Sequence, residues 1–330
     1  MEKPSEASLA IEETNVGEVW LHKKTDTKDE RIVSRKPQMR RLNEILIEKF
    51  FFMNGLLAIL ILLSIFSLLF VKGFPAIREL GWRSFFSSSV WNPTSYSTPR
   101  YGILSLITST LMVTFGALVI AVPLGVACAA FISQVASPRI REILKPAVEI
   151  LAGIPSVVVG FLGIILVNPL IAKVFGISNG LNALNGSILL AVMSLPTIIS
   201  LSEDALRAVP KTYKEASLAL GANDWQTLIR VLVPSALSGI IASVMLGMGR
   251  AIGETMTVLM ATGNAPALTF NFLDAIQTMT STIAIELGEV PYNTTHYYAL
   301  FVIGFVLFLM TFVVNLVSDI ILQKYQQVER

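Results

Sequence analysis

The chain has 330 residues, 53% of them hydrophobic and only 15% charged, with a mean hydropathy of +0.67. That balance excludes an ordinary water-soluble domain and gives no case for a nucleic-acid partner; it points to a protein held in a lipid bilayer. The formal net charge of +2 and the single cysteine, Cys128, exclude a disulfide framework and leave packing as the use of that thiol.

Residues 1–48 are polar, rich in Lys, Glu and Thr, and too poor in apolar side chains to bury a core, so they are expected to form a disordered cytosolic tail. They lack the short basic region and small-residue cleavage site of a secretory signal. Residues 49–330 are expected to form the membrane domain, an all-α polytopic fold. Apolar runs long enough to cross a bilayer lie at about 50–71, 103–132, 147–171, 183–201, 236–262 and 297–322, which predicts six transmembrane helices. Pro123, Pro155 and Pro196 fall inside three of them and predict kinks beside a cavity.

The basic residues orient these spans. Arg139, Arg141 and Lys145 separate the second and third, Arg207, Lys211, Lys214 and Arg230 the fourth and fifth, and Lys324 and Arg330 follow the sixth. Both termini and the 207–235 loop are therefore expected on the cytoplasmic side. The opposite-side segment 72–102 carries Trp82, Trp91, Asn92-Pro93 and Tyr101-Gly102, suited to an interfacial loop. His296 is read as a lone interfacial residue, and no metal-ligand cluster is seen.

The 207–235 loop is too long and too organised for a simple connection. Glu215, Ala216 and Ser217 are expected to open a short helix, Gly221 to end it in the left-handed conformation, and Asn223 or Asp224 to cap a second one. Pro234 fits the first turn of the helix that follows. The run EASLALGANDWQTLIRVLVP resembles the signature loop of ABC-importer permeases, with Ser217 replacing an Ala and Val233 a Leu. The resemblance implies a type I ABC-importer permease fold. It also implies a coupling helix, carried by Glu215, Ala216, Ser217, Leu220, Gly221 and Ala222, that docks on a separate ATPase subunit.

Arg250 is the basic residue placed deep within a predicted span, where it costs about 2.5–3.5 kcal/mol on insertion scales. Glu254 lies one turn further on and is expected to share its face and pair with it. The pair reads either as a structural lock or as a site for an anion, since a guanidinium fork matches a tetrahedral oxyanion. An ionised Glu254 would favour an oxyanion that still carries a proton, as phosphate does and sulfate does not. Thr255, Thr257 and Thr262 could add hydroxyl contacts. Glu149 is placed to be solvated or to pair with Lys145, with Ser156 lining the Pro155 kink. Glu203 and Asp204 are expected at a solvated boundary, and Asp274, Glu286 and Glu289 in an outer loop.

The run GRAIGETMTVLMATGN resembles the fifth-helix signature of phosphate-importer permeases of the PstC type, as does the segment WNP…YGILSLITST. The likeness implies a transport role for Arg250, Glu254, Thr255, Thr257, Glu149 and Ser156. It further implies a prokaryotic inner-membrane location, a second permease of the PstA type, two copies of a cytosolic ATPase and an extracytoplasmic phosphate-binding protein. No G-x-x-x-x-G-K-S/T run occurs, so the chain is expected to be no enzyme and to hold no cofactor, ATP and magnesium belonging to the ATPase partner. A sulfate or molybdate permease is the nearest rival reading. An ion-coupled secondary transporter with Glu254 and Glu149 as relays is another, and it leaves the 207–235 loop unexplained.

Overall fold

The computed structural model describes residues 37–326. The expected tail therefore lies outside the described residues up to position 36. From Pro37 the chain is already helical, in α1 (Pro37–Leu80), which starts well before the predicted 50. Proline suits the first turn, and the Arg, Leu, Glu, Ile and Lys residues that follow are good helix formers that extend an existing helix at little cost. The chain divides inside α1 into a unit ending at Leu63 and a unit beginning at Ser64. In the first unit the apolar side chains from Ile45 to Leu63 are exposed, as a lipid-facing helix requires.

The second unit continues through α2 (Trp82–Ser87), the two-residue strands β1 (Trp91–Asn92) and β2 (Arg100–Tyr101), α3 (Leu104–Ala130), α4 (Pro138–Ala152), α5 (Ser156–Leu162), α6 (Asn168–Phe175) and α7 (Ala183–Ala208). There follow α8 (Lys211–Ala219), α9 (Asp224–Thr227), α10 (Val233–Ser235), α11 (Leu237–Gly253), α12 (Met256–Ala261), α13 (Met279–Glu286) and α14 (Thr295–Gln326). Among the described residues five helical stretches are long and apolar enough to span a bilayer. A sixth forms when Asp224–Ser235 and Leu237–Gly253, bent by 69°, count as one.

Two predicted spans are not single helices. The third, expected at 147–171, is divided into α4 and the stretch Ser156–Phe175. Pro155 has no N–H to donate and drives Ile154 from helical geometry. The fifth, expected at 236–262, stops at Gly253; Glu254 turns extended at φ −67° and ψ 132°, and α12 begins at Met256. Pro123 and Pro196, by contrast, sit within the continuous helices α3 and α7.

The central packing joins α3, α7, α11 and α12 through Val113, Ala117, Leu190, Ile198, Ala251 and Val258. Small residues permit close approach. A Cβ on Gly125 of α3 would lie 2.7 Å from Ile198 Cγ2, and one on Gly247 of α11 would lie 2.9 Å from Ile198 Cγ1. Ile198 is thus wedged between two helices that meet it only as glycine. Ser202 and Ser243 share a 2.6 Å hydrogen bond between α7 and α11, satisfying hydroxyls that apolar surroundings would otherwise penalise.

At the α8 end, Leu206, Leu228, Leu232, Ala236 and Ile240 seat the loop after α7 on the bundle. Here the structure corrects an expectation. Glu203 is only 2% exposed; Lys145 Nζ lies 3.3 Å from its Oε2 and 3.8 Å from Asp204, and Arg207 pairs with its Oε1. Lys145 therefore serves Glu203, and Glu149 is left exposed. The Arg207 contact is an ion pair without aligned hydrogen-bond geometry. Because Lys145 and Arg207 stay over one third exposed, solvent screens part of the attraction. Glu203→Gln should then destabilise the chain by about 2–3 kcal/mol, below the usual cost of breaking a fully buried pair. Thermal unfolding of the purified protein checks this; an unchanged midpoint would show the network to be ornamental.

At the other end α2, the hairpin, α13 and α14 form a cap around Phe85, Trp91, Ile103, Leu106, Met279, Leu300 and Ile303. Trp91 is 3% exposed, so it is a core residue rather than an interfacial one. Its Nε1 donates to Glu286 Oε1 at 2.9 Å, and His296 Nε2 lies 2.7 Å from Glu286 Oε2. His296 is accordingly not alone, and Glu286 ends a helix instead of sitting in a loose loop. Burial first, and then the Glu79 carboxylate, hold the Tyr101 phenol above its ordinary pKa.

Candidate functional site: the paired helix breaks and the helical insert

The two interrupted spans meet. Thr257, in the first turn of α12 and fully buried, places its Oγ1 3.2 Å from the Ser156 carbonyl, 3.0 Å from Met193 Sδ and 3.4 Å from Glu254 Oε1. One hydroxyl proton can serve only one of these acceptors at a time. Glu254 Oε1 also lies 3.4 Å from the Thr257 N–H, a long bond that puts the carboxylate over the start of α12. Gly160 brings α5 and α12 together: a Cβ there would stand 2.9 Å from Met260 Sδ and 3.3 Å from the Met256 carbonyl. Glu254, Thr257 and Ser156 thus form one cluster, with α5, α7 and the α11–α12 break supplying its walls.

A residue that sequence reasoning missed completes it. Thr280 Oγ1 donates to the Glu254 carbonyl at 2.8 Å, so α13 holds the extended backbone that α11 gives up. Thr278, Thr280, Ser281 and Thr282 are all 6% exposed or less, although they fall in the segment expected to be an outer loop. The hydroxyl-rich run between apolar neighbours was the available signal.

Arg250 does not join Glu254. Among the described residues no ion pair within 4.0 Å connects them, and Arg250 is exposed on α11 rather than buried. The reason is backbone geometry: i, i+4 pairing needs a continuous helix, and this one stops at Gly253. Thr255 Oγ1 donates to the Gly253 carbonyl at 3.3 Å and Thr262 Oγ1 to the Val258 carbonyl, so both are used locally. A Cβ on Gly249 would face Asn315 of α14 at 3.6 Å, while one on Gly253 would meet nothing. Glu149 lies near the end of α4, one turn before the Pro155 break.

The insert after α7 is built largely as its sequence dictates. Helix α8 opens at Lys211, after Pro210, four residues before the expected Glu215. Gly221 takes φ +86°, the left-handed region that suits glycine. Asn223 and Gln226 form a reciprocal capping box on α9. Ser217 Oγ lies 2.9 Å from the buried Thr227 Oγ1, tying α8 to α9. Leu220 at 91% and Trp225 at 66% exposure are left uncovered. Ala216, Ser217, Leu220, Ala222 and Tyr213 line an apolar cleft of about 450 Å³ on one face of the insert.

Interrupted apolar helices around a polar cluster, with a capped helical insert at one end of the bundle, define a polytopic membrane protein with a polar interior, and its relatives make it a permease. The chain belongs to the family described as the binding-protein-dependent transport system inner membrane component, whose model matches residues 121–327. It is 39% identical over 285 residues to the probable ABC transporter permease protein YqgH of Bacillus subtilis, covering 86% of this chain and 92% of that one. It is 33% identical over 275 residues to the phosphate transport system permease protein PstC of Mesorhizobium japonicum, covering 78% and 83%. The fold is that of type I ABC-importer permeases. A solved bacterial alginate ABC transporter, in complex with its alginate-bound periplasmic protein, superposes with a TM-score of 0.57 over 84% of this chain and 94% of the matched one, at 16% identity. The MetNI methionine ABC transporter gives 0.51 over 68% and 94%, at 21% identity.

Proposed function

We propose that this chain forms half of the translocation pathway of an ATP-driven importer of inorganic phosphate. The observation that carries the reading is the junction of the two broken spans at Glu254, Thr257 and Ser156, in a chain whose relatives include phosphate permeases. Arg250 supplies the positive charge for the anion, exposed in this chain and covered by a second permease of the PstA type. Glu254 and the hydroxyls of Thr255, Thr257 and Ser156 line the passage, and Glu149 stands at the α4 end of the break beside it.

Both termini and the 207–235 insert face the cytoplasm. There Ala216, Ser217, Leu220, Gly221 and Ala222 engage one of two ATPase copies, which hold the ATP and magnesium, while Glu215 stands on the other face of α8; the chain itself has no ATPase site and no cofactor. An extracytoplasmic phosphate-binding protein delivers the substrate at the opposite face. Residues 1–48 remain a cytosolic extension of a membrane domain at 49–330.

Substrate choice is tested by ATP-dependent uptake of labelled phosphate into proteoliposomes containing the complete transporter. Phosphate uptake should survive a tenfold molar excess of sulfate. Equal competition by sulfate would overturn phosphate specificity and favour a broader oxyanion permease, while loss of ATP dependence would overturn the ABC mechanism.

A further inference from the structure

A second cleft, of about 580 Å³, lies between α8, the end of α7 and the wider helical turn Phe131–Val135 that prolongs the end of α3. Arg141, Arg207, Lys211 and Lys214 line it, with Glu215 as the one carboxylate among its lining residues. On α8 the residues that face it are Lys211, Lys214, Glu215 and Leu218, spaced i, i+3, i+4 and i+7, a single helix face. Tyr213, Ala216, Ser217 and Leu220 line the apolar cleft instead. The insert therefore presents an apolar surface on one side and a basic one on the other, turned toward the bundle.

Two of the four cations already have work. Arg141 Nε donates to the Ile132 carbonyl at 2.9 Å and its Nη2 to the Ser133 carbonyl, closing the end of α3, and Arg207 pairs with Glu203. The lysines are different. Lys214 reaches only Gln134 Oε1, at 3.4 Å, and among the described residues no ion pair within 4.0 Å joins either lysine to a carboxylate. Both occupy the start of α8, whose first turn holds no acidic residue. Helix N-termini attract anions and repel cations, by about 0.3–1 kcal/mol per charge. Local helix energetics thus disfavour these lysines, and a bound anion would relieve them.

We propose that this cleft binds a phosphate-bearing anion and thereby ties α8 to the ends of α3 and α7. The anion meets the guanidinium N–H groups that Arg141 and Arg207 keep free and both lysine ammonium groups, with the positive end of α8 behind it. A membrane-facing source would be the headgroup of an anionic phospholipid; a cytosolic source would be free phosphate. Only the second depends on the orientation proposed above. Bound, the anion restrains the insert from the face opposite Leu220, leaving the apolar cleft open.

The test is hydrogen exchange on residues 211–219 in the complete transporter, reconstituted in nanodiscs of phosphatidylcholine alone, of phosphatidylcholine with phosphatidylglycerol, or of phosphatidylcholine with added inorganic phosphate. A ligand at about ten times its dissociation constant slows exchange through the opening that releases it about tenfold. We expect that slowing in at least one of the two anion arms. It should vanish in Lys211→Gln/Lys214→Gln and persist in Lys211→Arg/Lys214→Arg, which controls for misfolding. Slowing with phosphatidylglycerol alone assigns the lipid headgroup, and slowing with phosphate alone assigns the free anion. Unchanged exchange in both arms, or equal slowing in the glutamine variant, overturns the proposal. Uptake measured on the same preparations keeps this outcome separate from the transport reading: a failed uptake assay leaves the exchange result standing.

Discussion

Arg250→Gln should lower ATP-dependent phosphate uptake about 10- to 100-fold while the transporter still assembles, the loss expected from removing hydrogen bonds worth about 1.5–3 kcal/mol to a charged ligand. Two features make the variant informative. Arg250 is exposed and makes no ion pair with Glu254, so its removal leaves no buried carboxylate without a partner and should cost the fold little. Arg250→Lys should retain part of the activity, because the charge remains and the planar fork does not. Glu254→Gln separates charge from geometry: the amide oxygen can still accept from the Thr257 N–H at the start of α12, but the negative charge is gone. If that charge excludes fully ionised oxyanions, sulfate should compete better against phosphate in Glu254→Gln than in the native protein. Normal uptake in Arg250→Gln and in Glu254→Gln, with native sulfate competition, would sink the pathway role of these residues and make them structural.

The insert was legible in the sequence because its signals are local. Gly221 needs a positive φ and Asn223 caps within three residues; the short range of each interaction keeps it visible in one dimension, whereas the start of α8 at Lys211, four residues before the expected Glu215, did not show. The helix breaks were legible unequally. Pro155 announces the first, since a missing N–H and a ring clash act on the immediate neighbours. Nothing in Gly253-Glu254-Thr255 announces the second, whose extended carbonyl is held by Thr280, 26 residues further along. Apolar windows about twenty residues long average over such a two-residue interruption, and so the Arg250–Glu254 pair was placed on a continuous face that does not exist. Glu203 was misplaced for the same reason: its burial depends on Lys145 from α4, a partner that no spacing rule along α7 can reveal. Charged residues near a helix end read as solvated until the element packed across them is known.

Leu220→Asp should uncouple the transporter, reducing both ATPase retention and phosphate uptake by about 30-fold or more. Leu220 is 91% exposed at the tip of α8, where an isolated soluble surface would gain nothing from an apolar side chain. Burying a leucine against a partner contributes about 2 kcal/mol, which corresponds to about 30-fold in affinity, and an aspartate carried into the same contact adds a desolvation penalty. The substitution leaves the insert's own supports untouched: the Ser217–Thr227 hydrogen bond, the Asn223–Gln226 box and the left-handed Gly221 all lie outside the Leu220 side chain. Gly221→Val attacks the same function by another route. A β-branched residue at φ +86° is strained by about 1–2 kcal/mol, which should re-aim Leu220 and loosen coupling without adding a charge. Ser217→Ala restores the residue usual in the resembling signature loops and removes one half-buried hydrogen bond worth about 1 kcal/mol, so it should soften α8 while keeping most uptake. Co-purification of the ATPase, hydrolysis rate and uptake, measured together on the three variants, separate these effects. Leu220→Asp with full ATPase retention would show that the apolar cleft beside it faces something other than the ATPase, and the coupling contact would then have to be sought at Trp225 on the neighbouring turn.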